Sequence, residues 1–299
     1  MEEEKSRIMI FHEKKTSVIM LGLVVAVIAD AVLWLWLFSG HAAIASTVPK
    51  LYFLNIGQGD SSLIELPGGV HVVIDGGPDG KKLLANLEKI LPPQDRYIDL
   101  LVMTHPQLDH FGGFIDLLKK YEVGAFIGNG RKAPIAEYPE LIKQLKQHSV
   151  PYIQATEGDA IKIGDATLKI IGPSKQDIVS GELNDTCVVV LLDSPQIKAL
   201  YTGDIGMNVE EELVKKYNLD VDVLKVGHHG SRFSSGENFL AEVTPALAAI
   251  EVGKNTYGHP TQSALQRLGK FAQKITRADQ DGIIEVIPTA NTLQVFHLQ

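Results

Sequence analysis

The chain of 299 residues has a single cysteine, Cys187, so an internal disulfide framework is excluded. This cysteine lies in the apolar run 186–192, where a small buried side chain is expected. The sequence also lacks low-complexity segments and obvious linkers after Pro49. With 45% hydrophobic residues it can form a sizeable core, and one domain is predicted over residues 50–299.

Positive charge is scarce. The formal net charge is −8, and the residues after position 45 include 24 basic and 31 acidic side chains. Contacts from Lys and Arg to phosphates supply most nonspecific affinity for nucleic acid, so a broad electrostatic surface for duplex binding is not expected. Phosphodiester substrates are not excluded, because metal cations bound in a cleft can reverse the local sign of charge.

Charge is almost absent from residues 17–38, where Asp30 is the only charged side chain. At 1.5 Å per residue this segment can cross a hydrocarbon core of about 30 Å, which predicts a transmembrane helix. Four basic residues precede it and few follow closely, so the positive-inside rule places residues 1–16 in the cytoplasm. Residues 39–49 would then be a linker and the large domain would lie outside the membrane.

A cleaved signal peptide is the alternative interpretation of the same segment. Ala43 and Ala45 form a small-x-small pattern, and cleavage after Ala45 would release a secreted protein. The apolar segment is longer than the 7 to 15 residues typical of signal peptides, which favours the anchor.

The densest group of metal-binding residue types follows the apolar run 98–103. His105, Asp109 and His110 stand within six positions, and Gly112 and Gly113 come directly after them. Imidazole and carboxylate are preferred donors for divalent transition metals, and a turn at the end of a buried strand can bring them together. The two glycines would let the backbone pass close under the site and start a helix. This pattern predicts a metal centre.

Short apolar runs alternate with helical patterns along the rest of the chain, which predicts mixed sheets covered by helices. Strands are predicted at 51–55, 61–65, 71–75, 98–103, 221–226, 246–252, 283–287 and 292–296. Two further segments, 160–171 and 186–201, are predicted to form strands interrupted by turns at Gly164 and at Ser194 and Pro195. The predicted helices are 81–90, 111–121, 138–148, 208–217 and 262–271.

Other polar residues also follow strand-like runs directly: Asp75, Asp204, His228 and His259. Each one alone is typical of a turn, since aspartate before glycine is a common turn former. Their repeated occurrence at strand ends, together with the histidine motif, predicts one shared site at one edge of a sheet.

Six ordered motifs within about residues 50–290 resemble the metallo-β-lactamase superfamily, and more narrowly the C-terminal extracytoplasmic domain of ComEC-type DNA-uptake proteins. They are Asn55–Asp60, Ile74–Gly77, His105–Gly113, Tyr201–Asp204, Leu224–Ser231 and Gly258–Pro260. The resemblance implies an α/β fold, specifically an αββα sandwich of two mixed sheets flanked by helices. It also implies a metal-dependent hydrolase, usually of phosphodiesters in this branch, with one or two divalent ions such as zinc or manganese.

By position in those motifs, the resemblance implies metal ligands at His105, Asp109, His110, Asp204 and His228. Asp204 would bridge two ions. Gln107 and Asn184 stand where many relatives have stronger ligands, so they are expected to be weak ligands at most. Gln107 is the more telling departure, since asparagine also occurs at the Asn184 position in this branch.

The remaining roles follow from the same resemblance and from metal chemistry. The metal would acidify a bound water and polarise a phosphoryl oxygen. Asp109 would orient that water or act as a base, and His259 would contact a phosphate oxygen or assist the leaving group. The backbone around Gly230 and Ser231 would form an anion cradle. Asp75 and His229 are expected to orient the ligands rather than bind metal, because adjacent side chains on an extended segment such as 228–229 point apart.

Three functions remain open at this stage. The first is a membrane-anchored phosphodiesterase or nuclease, with single-stranded DNA among its candidate substrates. The second is a binding module that has lost productive metal loading through Gln107, and the third is a metallohydrolase of wall phosphodiesters or small esters. A DNA channel needs many membrane spans and one is predicted, so DNA transport would require a separate channel subunit.

Overall fold

The computed structural model describes residue 30 and residues 46–179 and 182–298. Within this part of the chain no helix is both long and apolar enough to span a membrane. The predicted membrane helix at 17–38 lies outside the described residues except for Asp30. Residues Ser46–Gln299 form one compact unit.

The first sheet has eight strands in the order β15-β14-β1-β2-β3-β4-β5-β6. The strands are β1 (Lys50–Phe53), β2 (Ser62–Leu66), β3 (Val70–Ile74), β4 (Tyr97–Val102), β5 (Glu122–Gly128), β6 (Tyr152–Gln154), β14 (Ile283–Pro288) and β15 (Leu293–Leu298). The sheet is mixed: β1 pairs antiparallel with β2 and β14, whereas β3, β4, β5 and β6 run parallel.

The second sheet has seven strands in the order β13-β12-β11-β10-β9-β8-β7. They are β7 (Ala160–Ile163), β8 (Ala166–Gly172), β9 (Val189–Asp193), β10 (Lys198–Tyr201), β11 (Val223–Lys225), β12 (Leu247–Ile250) and β13 (Lys274–Arg277). The pairs from β10 to β13 are parallel, and those from β7 to β10 are antiparallel.

Helices cover the outer faces of both sheets. They are α1 (Gly80–Ile90), α2 (Leu108–Phe111), α3 (Phe114–Leu117), α4 (Glu137–Gln147), α5 (Met207–Lys216), α6 (Glu237–Val243), α7 (Gln262–Phe271) and α8 (Ala278–Asp281). One apolar core, which includes Phe53 and Tyr201, joins the inner faces of the two sheets. Separate cores lie between the first sheet and α1 to α4, and between the second sheet and α5 to α7. This confirms the predicted αββα sandwich.

The helix predicted over 111–121 is wrong in its bounds. The chain forms two short helices, α2 and α3, which are separated by Gly112 and Gly113. A Cβ atom on Gly113 would lie 2.0 Å from the carbonyl oxygen of Gly76, so only glycine permits this approach. The break lets the histidine motif pack directly against the loop that follows β3.

Candidate metal centre

The predicted site residues follow strands whose carboxyl-terminal ends share one edge of each sheet. Asp75 follows β3, the segment His105–His110 follows β4, Asp204 follows β10, and His228 and His229 follow β11. Since β3 is parallel to β4 and β10 is parallel to β11, the two loops of each sheet leave it at the same edge. The direct contacts described next bring residues of both sheets into one cluster.

Asp75 orients two groups at the beginning of the histidine motif. Its carboxylate accepts hydrogen bonds from the Thr104 amide at 2.8 Å and the Thr104 hydroxyl at 2.7 Å. It also lies 2.8 Å from Nδ1 of His110. This contact leaves Nε2 of His110 to face Asp204, at 3.4 Å from Oδ2. Asp75 therefore fixes the ring of His110 and presents its other nitrogen to the cluster.

His105 is fully buried beside His110, with 4.1 Å between the ring centres. Its Nδ1 lies 3.3 Å from the Cys187 sulfur and 3.1 Å from the Thr104 hydroxyl. Burial, followed by the His110 imidazole, lowers the pKa of His105 to about 3. The ring is therefore neutral near pH 7, which is the form that binds metal.

Asp204 lies at the centre of the cluster. Its Oδ2 is 3.7 Å from Nε2 of both His228 and His229, in addition to its contact with His110. Burial opposes ionisation, but His110 and His229 outweigh it and hold the pKa of Asp204 well below its usual value. A buried carboxylate surrounded by three imidazoles is a ready acceptor for a divalent cation.

His228 and His229 adopt left-handed backbone conformations, with φ of 50° and 54°. The extended segment predicted here is wrong, because Gly227–Gly230 forms a tight turn. The turn directs both imidazoles towards Asp204 instead of to opposite sides. His228 is 30% exposed in its side chain and His229 only 3%, so the residue expected to play the lesser role is the more deeply enclosed one.

A buried charge network behind His229 was not predicted from the sequence. Asp60 forms an ion pair with Lys225 and lies 3.0 Å from Nδ1 of His229. Burial lowers the pKa of His229, but Asp204 and Asp60 outweigh it and raise that pKa to about 10, so a metal ion that binds this ring would displace its proton. Glu251 is buried beside this group and accepts hydrogen bonds from Ser62 and from two backbone amides. Nδ1 of His229 also lies 3.0 Å from the backbone carbonyl oxygen of Glu251, so this carbonyl and Asp60 together orient the ring.

Gln107 and Asn184, the two expected weak ligands, contact each other. Nε2 of Gln107 donates to Oδ1 of Asn184 at 2.5 Å. Their amides are thereby engaged in a side-chain hydrogen bond at the mouth of the site.

Asp109 and His259, the predicted catalytic residues, both line the cavity that contains the cluster. The Asp109 side chain is 33% exposed and its Oδ2 lies 3.5 Å from Nε2 of His229. Burial raises the pKa of Asp109, but His110 and His229 outweigh it, so the pKa is lowered and the carboxylate is ionised. The His259 ring lies 5.5 Å from that of His228, and burial lowers its pKa.

The anion cradle predicted at Gly230 and Ser231 is not available through the Ser231 amide. This N–H donates to the carbonyl of His228 at 2.9 Å and closes the tight turn. Gly230 has a φ of 81° and packs against Pro260, which makes it a turn residue in this structure.

Several buried polar atoms of the cluster have no hydrogen-bond partner among the described residues: Nε2 of His105, His110 and His229, and Oδ1 of Asp204. Leaving such an atom unpaired costs about 1–3 kcal/mol. Candidate ligand atoms of His105, His110 and Asp204 lie within 4.8 Å of one another, as do those of Asp109, His110 and His229. Imidazole nitrogens and carboxylate oxygens at this spacing fit a divalent transition metal ion. His228 is in no such group among the described residues, although it contacts Asp204.

Comparison with known proteins identifies a family of metal-binding proteins, as the geometry of the cluster leads us to expect. The family model described as the metallo-beta-lactamase superfamily matches residues 54–250. The chain is 30% identical over 258 residues to ComE operon protein 3 of Bacillus subtilis, covering 80% of this chain and 33% of that protein. It is 29% identical over 232 residues to competence protein ComA of Neisseria gonorrhoeae, covering 77% of this chain and 31% of that protein. The chain therefore spans about a third of the length of these curated relatives.

Among solved structures, the metallo-beta-lactamase fold protein YhfI from Bacillus subtilis superposes with a TM-score of 0.54. The sequence identity is 12%, and the match covers 80% of this chain and 99% of that one. At this identity the similarity concerns the fold.

Proposed function

The chain belongs to the metallo-β-lactamase superfamily, and from this premise we propose that it is a metal-dependent hydrolase of phosphodiesters that acts on nucleic acid strands. The observation that carries the proposal is that buried atoms without a hydrogen-bond partner among the described residues converge from both sheets, on His105 and His110 from one and on Asp204 and His229 from the other. The similarity to competence proteins supports nucleic acid as the substrate.

His105, His110 and Asp204 would hold the ion, with Asp109 and His229 at its other side. His110 belongs to three of the four groups of candidate ligands among the described residues, so we place one ion beside its ring. A bound divalent ion supplies an acidified water and positive charge to offset that of a phosphoryl oxygen.

The residues around the ion would orient the attacking water, assist the leaving oxygen and position the histidine rings. Ionised Asp109 is a weak base because its pKa is low, so it accepts a hydrogen bond from the attacking water and orients it. His259 has an Nδ1 without a partner among the described residues, and its neutral ring can donate a hydrogen bond to the leaving oxygen. Asp75 orients the ring of His110, and Asp60 with the Glu251 carbonyl orients the ring of His229.

The test is hydrolysis of bis-p-nitrophenyl phosphate and of a labelled single strand after loading with zinc or manganese. Asp204→Ala should lose bound metal and more than about 100-fold of the activity, a loss beyond that caused by residues that only orient ligands. Asp165→Ala, at an exposed turn, is the matched control and should retain both. A metal-loaded wild-type chain that cleaves neither substrate would overturn the proposal.

The hydrogen bond between Gln107 and Asn184 favours a second candidate, a binding module. If these amides remain paired, fewer ligands are available and the chain would bind nucleic acid or protein without turnover. Oligonucleotide binding without cleavage, in a preparation that contains metal, would support this candidate over the first.

For location, we propose that residues 17–38 anchor the chain in a membrane with the hydrolase domain on the outer side, and that a separate channel subunit passes the DNA. The support is the apolar length and the flanking charge of that segment. Protease added to intact cells should degrade the domain after residue 50. Full protection of the domain in intact cells, with degradation after lysis, would contradict this orientation.

A further inference from the structure

Two open cavities meet at the candidate metal centre. One, of about 350 Å³, extends from the cluster towards Tyr257 and His259. The other, of about 590 Å³, extends towards Asn184 and Phe233. Gln107, Asp204 and His228 line both cavities, so together they form a groove that crosses the site.

Each of the two cavities that form this groove is lined by one exposed aromatic side chain, Tyr257 in the first and Phe233 in the second. Tyr257 is 73% exposed and Phe233 63%, which makes them the two most exposed aromatic residues in the described part of the chain. Tyr97 and Phe296, elsewhere on the surface, are 45% and 44% exposed. Exposed apolar area next to a catalytic cleft is typical of a binding surface.

The backbone around both aromatic residues is held firmly. The carbonyl of Phe233 accepts from the Met207 amide at 2.9 Å, and the Arg267 guanidinium donates to three carbonyls of the same loop, those of Arg232, Ser234 and Ser235. The amide of Tyr257 donates to Asn255, whose own side chain donates to the carbonyls of Gly253 and His259. The rings are therefore exposed on fixed loops and present a preorganised surface.

The chemistry around the rings fits nucleobases. The Arg232 guanidinium lies 4.7 Å from the centre of the Phe233 ring, and Tyr257 lies 5.8 Å from the His259 ring at an angle of 32°. The chain is acidic, so phosphate contacts alone would bind a strand weakly. Stacking on aromatic rings supplies affinity without net positive charge and accepts any base. Bases in a duplex are already stacked on each other and cannot use such rings.

We propose that Tyr257 and Phe233 stack bases on the two sides of the scissile phosphate, so that the site selects single-stranded over duplex nucleic acid. This rests on the proposed hydrolase function. The groove places the phosphate between the two rings, next to Asp204 and His228, and leaves the flanking nucleotides to the aromatic side chains.

The test compares the full-length chain on two labelled single strands of equal length, one with normal bases and one with abasic sites flanking the cleaved phosphate. The wild type should have a lower KM for the normal strand. Phe233→Ala and Tyr257→Ala should each raise that KM by roughly 5- to 150-fold. The KM values for the normal strand and for the strand with abasic sites should then become similar. Phe296→Ala and Tyr97→Ala, which change exposed aromatic residues away from the groove, should leave the difference in KM between the two strands unchanged.

Failure of the inference and failure of the proposed function give different results. Cleavage of both strands with equal KM in wild type and variants would overturn base stacking and leave the hydrolase intact. Absence of cleavage would overturn the function, and fluorescence anisotropy with the same strands would then decide the inference through binding alone. Equal affinity for single strand and duplex in that assay would also overturn it.

Discussion

At the scale of single residues, the cluster depends on carboxylates that orient imidazoles without occupying the centre themselves. Asp75 contacts Nδ1 of His110, and Asp60 contacts Nδ1 of His229. In each pair the contact fixes the ring and leaves Nε2 to face the cluster, where Asp204 stands 3.4 and 3.7 Å away. Changes at these carboxylates should therefore be felt at the metal.

Asp75→Asn should weaken metal binding by about 10–100-fold, because an asparagine has one oxygen to serve contacts that two carboxylate oxygens make now. Calorimetric titration with zinc measures the effect directly. Asp165→Asn, at an exposed turn, is the control. An unchanged affinity would show that the ring of His110 is held by packing alone.

Gln107→His should raise the amount of bound metal, because imidazole is a stronger donor than an amide and the change also frees Asn184 from its hydrogen bond. Elemental analysis of wild type and variant after zinc loading measures the gain. If the metal content and activity do not rise, the glutamine is not what limits loading.

At the scale of elements, α5 fastens the loop that carries Phe233. Glu210 of α5 is fully buried and accepts hydrogen bonds from the amides of Ser235 at 2.6 Å and Gly236 at 2.8 Å. Burial nevertheless raises the pKa of Glu210 to about 7. This one side chain couples the loop to the helix.

The raised pKa makes the stability of the protein depend on pH. Because the folded state holds this proton more tightly than the unfolded state, the stabilisation is complete below about pH 4.5 and is lost as the pH rises through 7. Glu210→Gln should remove this contribution, so the difference in free energy of unfolding between wild type and variant should change by roughly 3 kcal/mol over that range.

Urea denaturation at a series of pH values checks this prediction. Glu212→Gln, on the exposed side of the same helix, should give a curve parallel to that of the wild type. A Glu210→Gln curve that is also parallel would mean that Glu210 does not titrate in this range.

The elements predicted most accurately from the sequence are helices with a strong apolar period and strands that end in a polar residue. The helix at 262–271 has the predicted bounds, and Asp75 and Asp204 lie where the ends of apolar runs put them. Strands β5, β6 and β13 and helices α6 and α8 were not predicted, since their segments carry no clear apolar period.

The site residues missed are those whose partners are distant in sequence. Asp60 forms an ion pair with Lys225, which is 165 positions away in the sequence. Glu251 accepts a hydrogen bond from the amide of Leu54, which is 197 positions away. No local sequence pattern marks such pairs. The turn at His228 and His229 follows a strand without any conformational signal of its own. Its left-handed residues are maintained by tertiary contacts with Asp204 and Asp60.

At the scale of the whole molecule, the candidate ligands come from both sheets. His105 and His110 follow a strand of the first sheet, whereas Asp204 and His229 follow strands of the second. An ion held between them would add a connection between the two layers, beside the apolar core and the Asp60–Lys225 ion pair. Metal binding should therefore stabilise the fold as well as the site.

At an ion concentration 100 times the dissociation constant the stabilisation should be about 2.7 kcal/mol, and the unfolding temperature should rise by about 5–10 °C. Calorimetry with zinc and with a chelator measures the shift. Asp204→Ala should abolish it and Asp165→Ala should keep it. Equal unfolding temperatures with zinc and with chelator would contradict a metal that joins the two sheets.

The position of β1 has a mechanical consequence. This strand begins at Lys50, yet it lies inside its sheet, bonded to β2 on one side and β14 on the other. A strand at a free edge, such as β15, can be peeled away one hydrogen bond at a time. β1 can leave the sheet only when its hydrogen bonds to β2 and to β14 break together. Tension on the chain ahead of Lys50 is therefore carried by the interior of the sheet, and the domain resists being pulled open from its amino-terminal end.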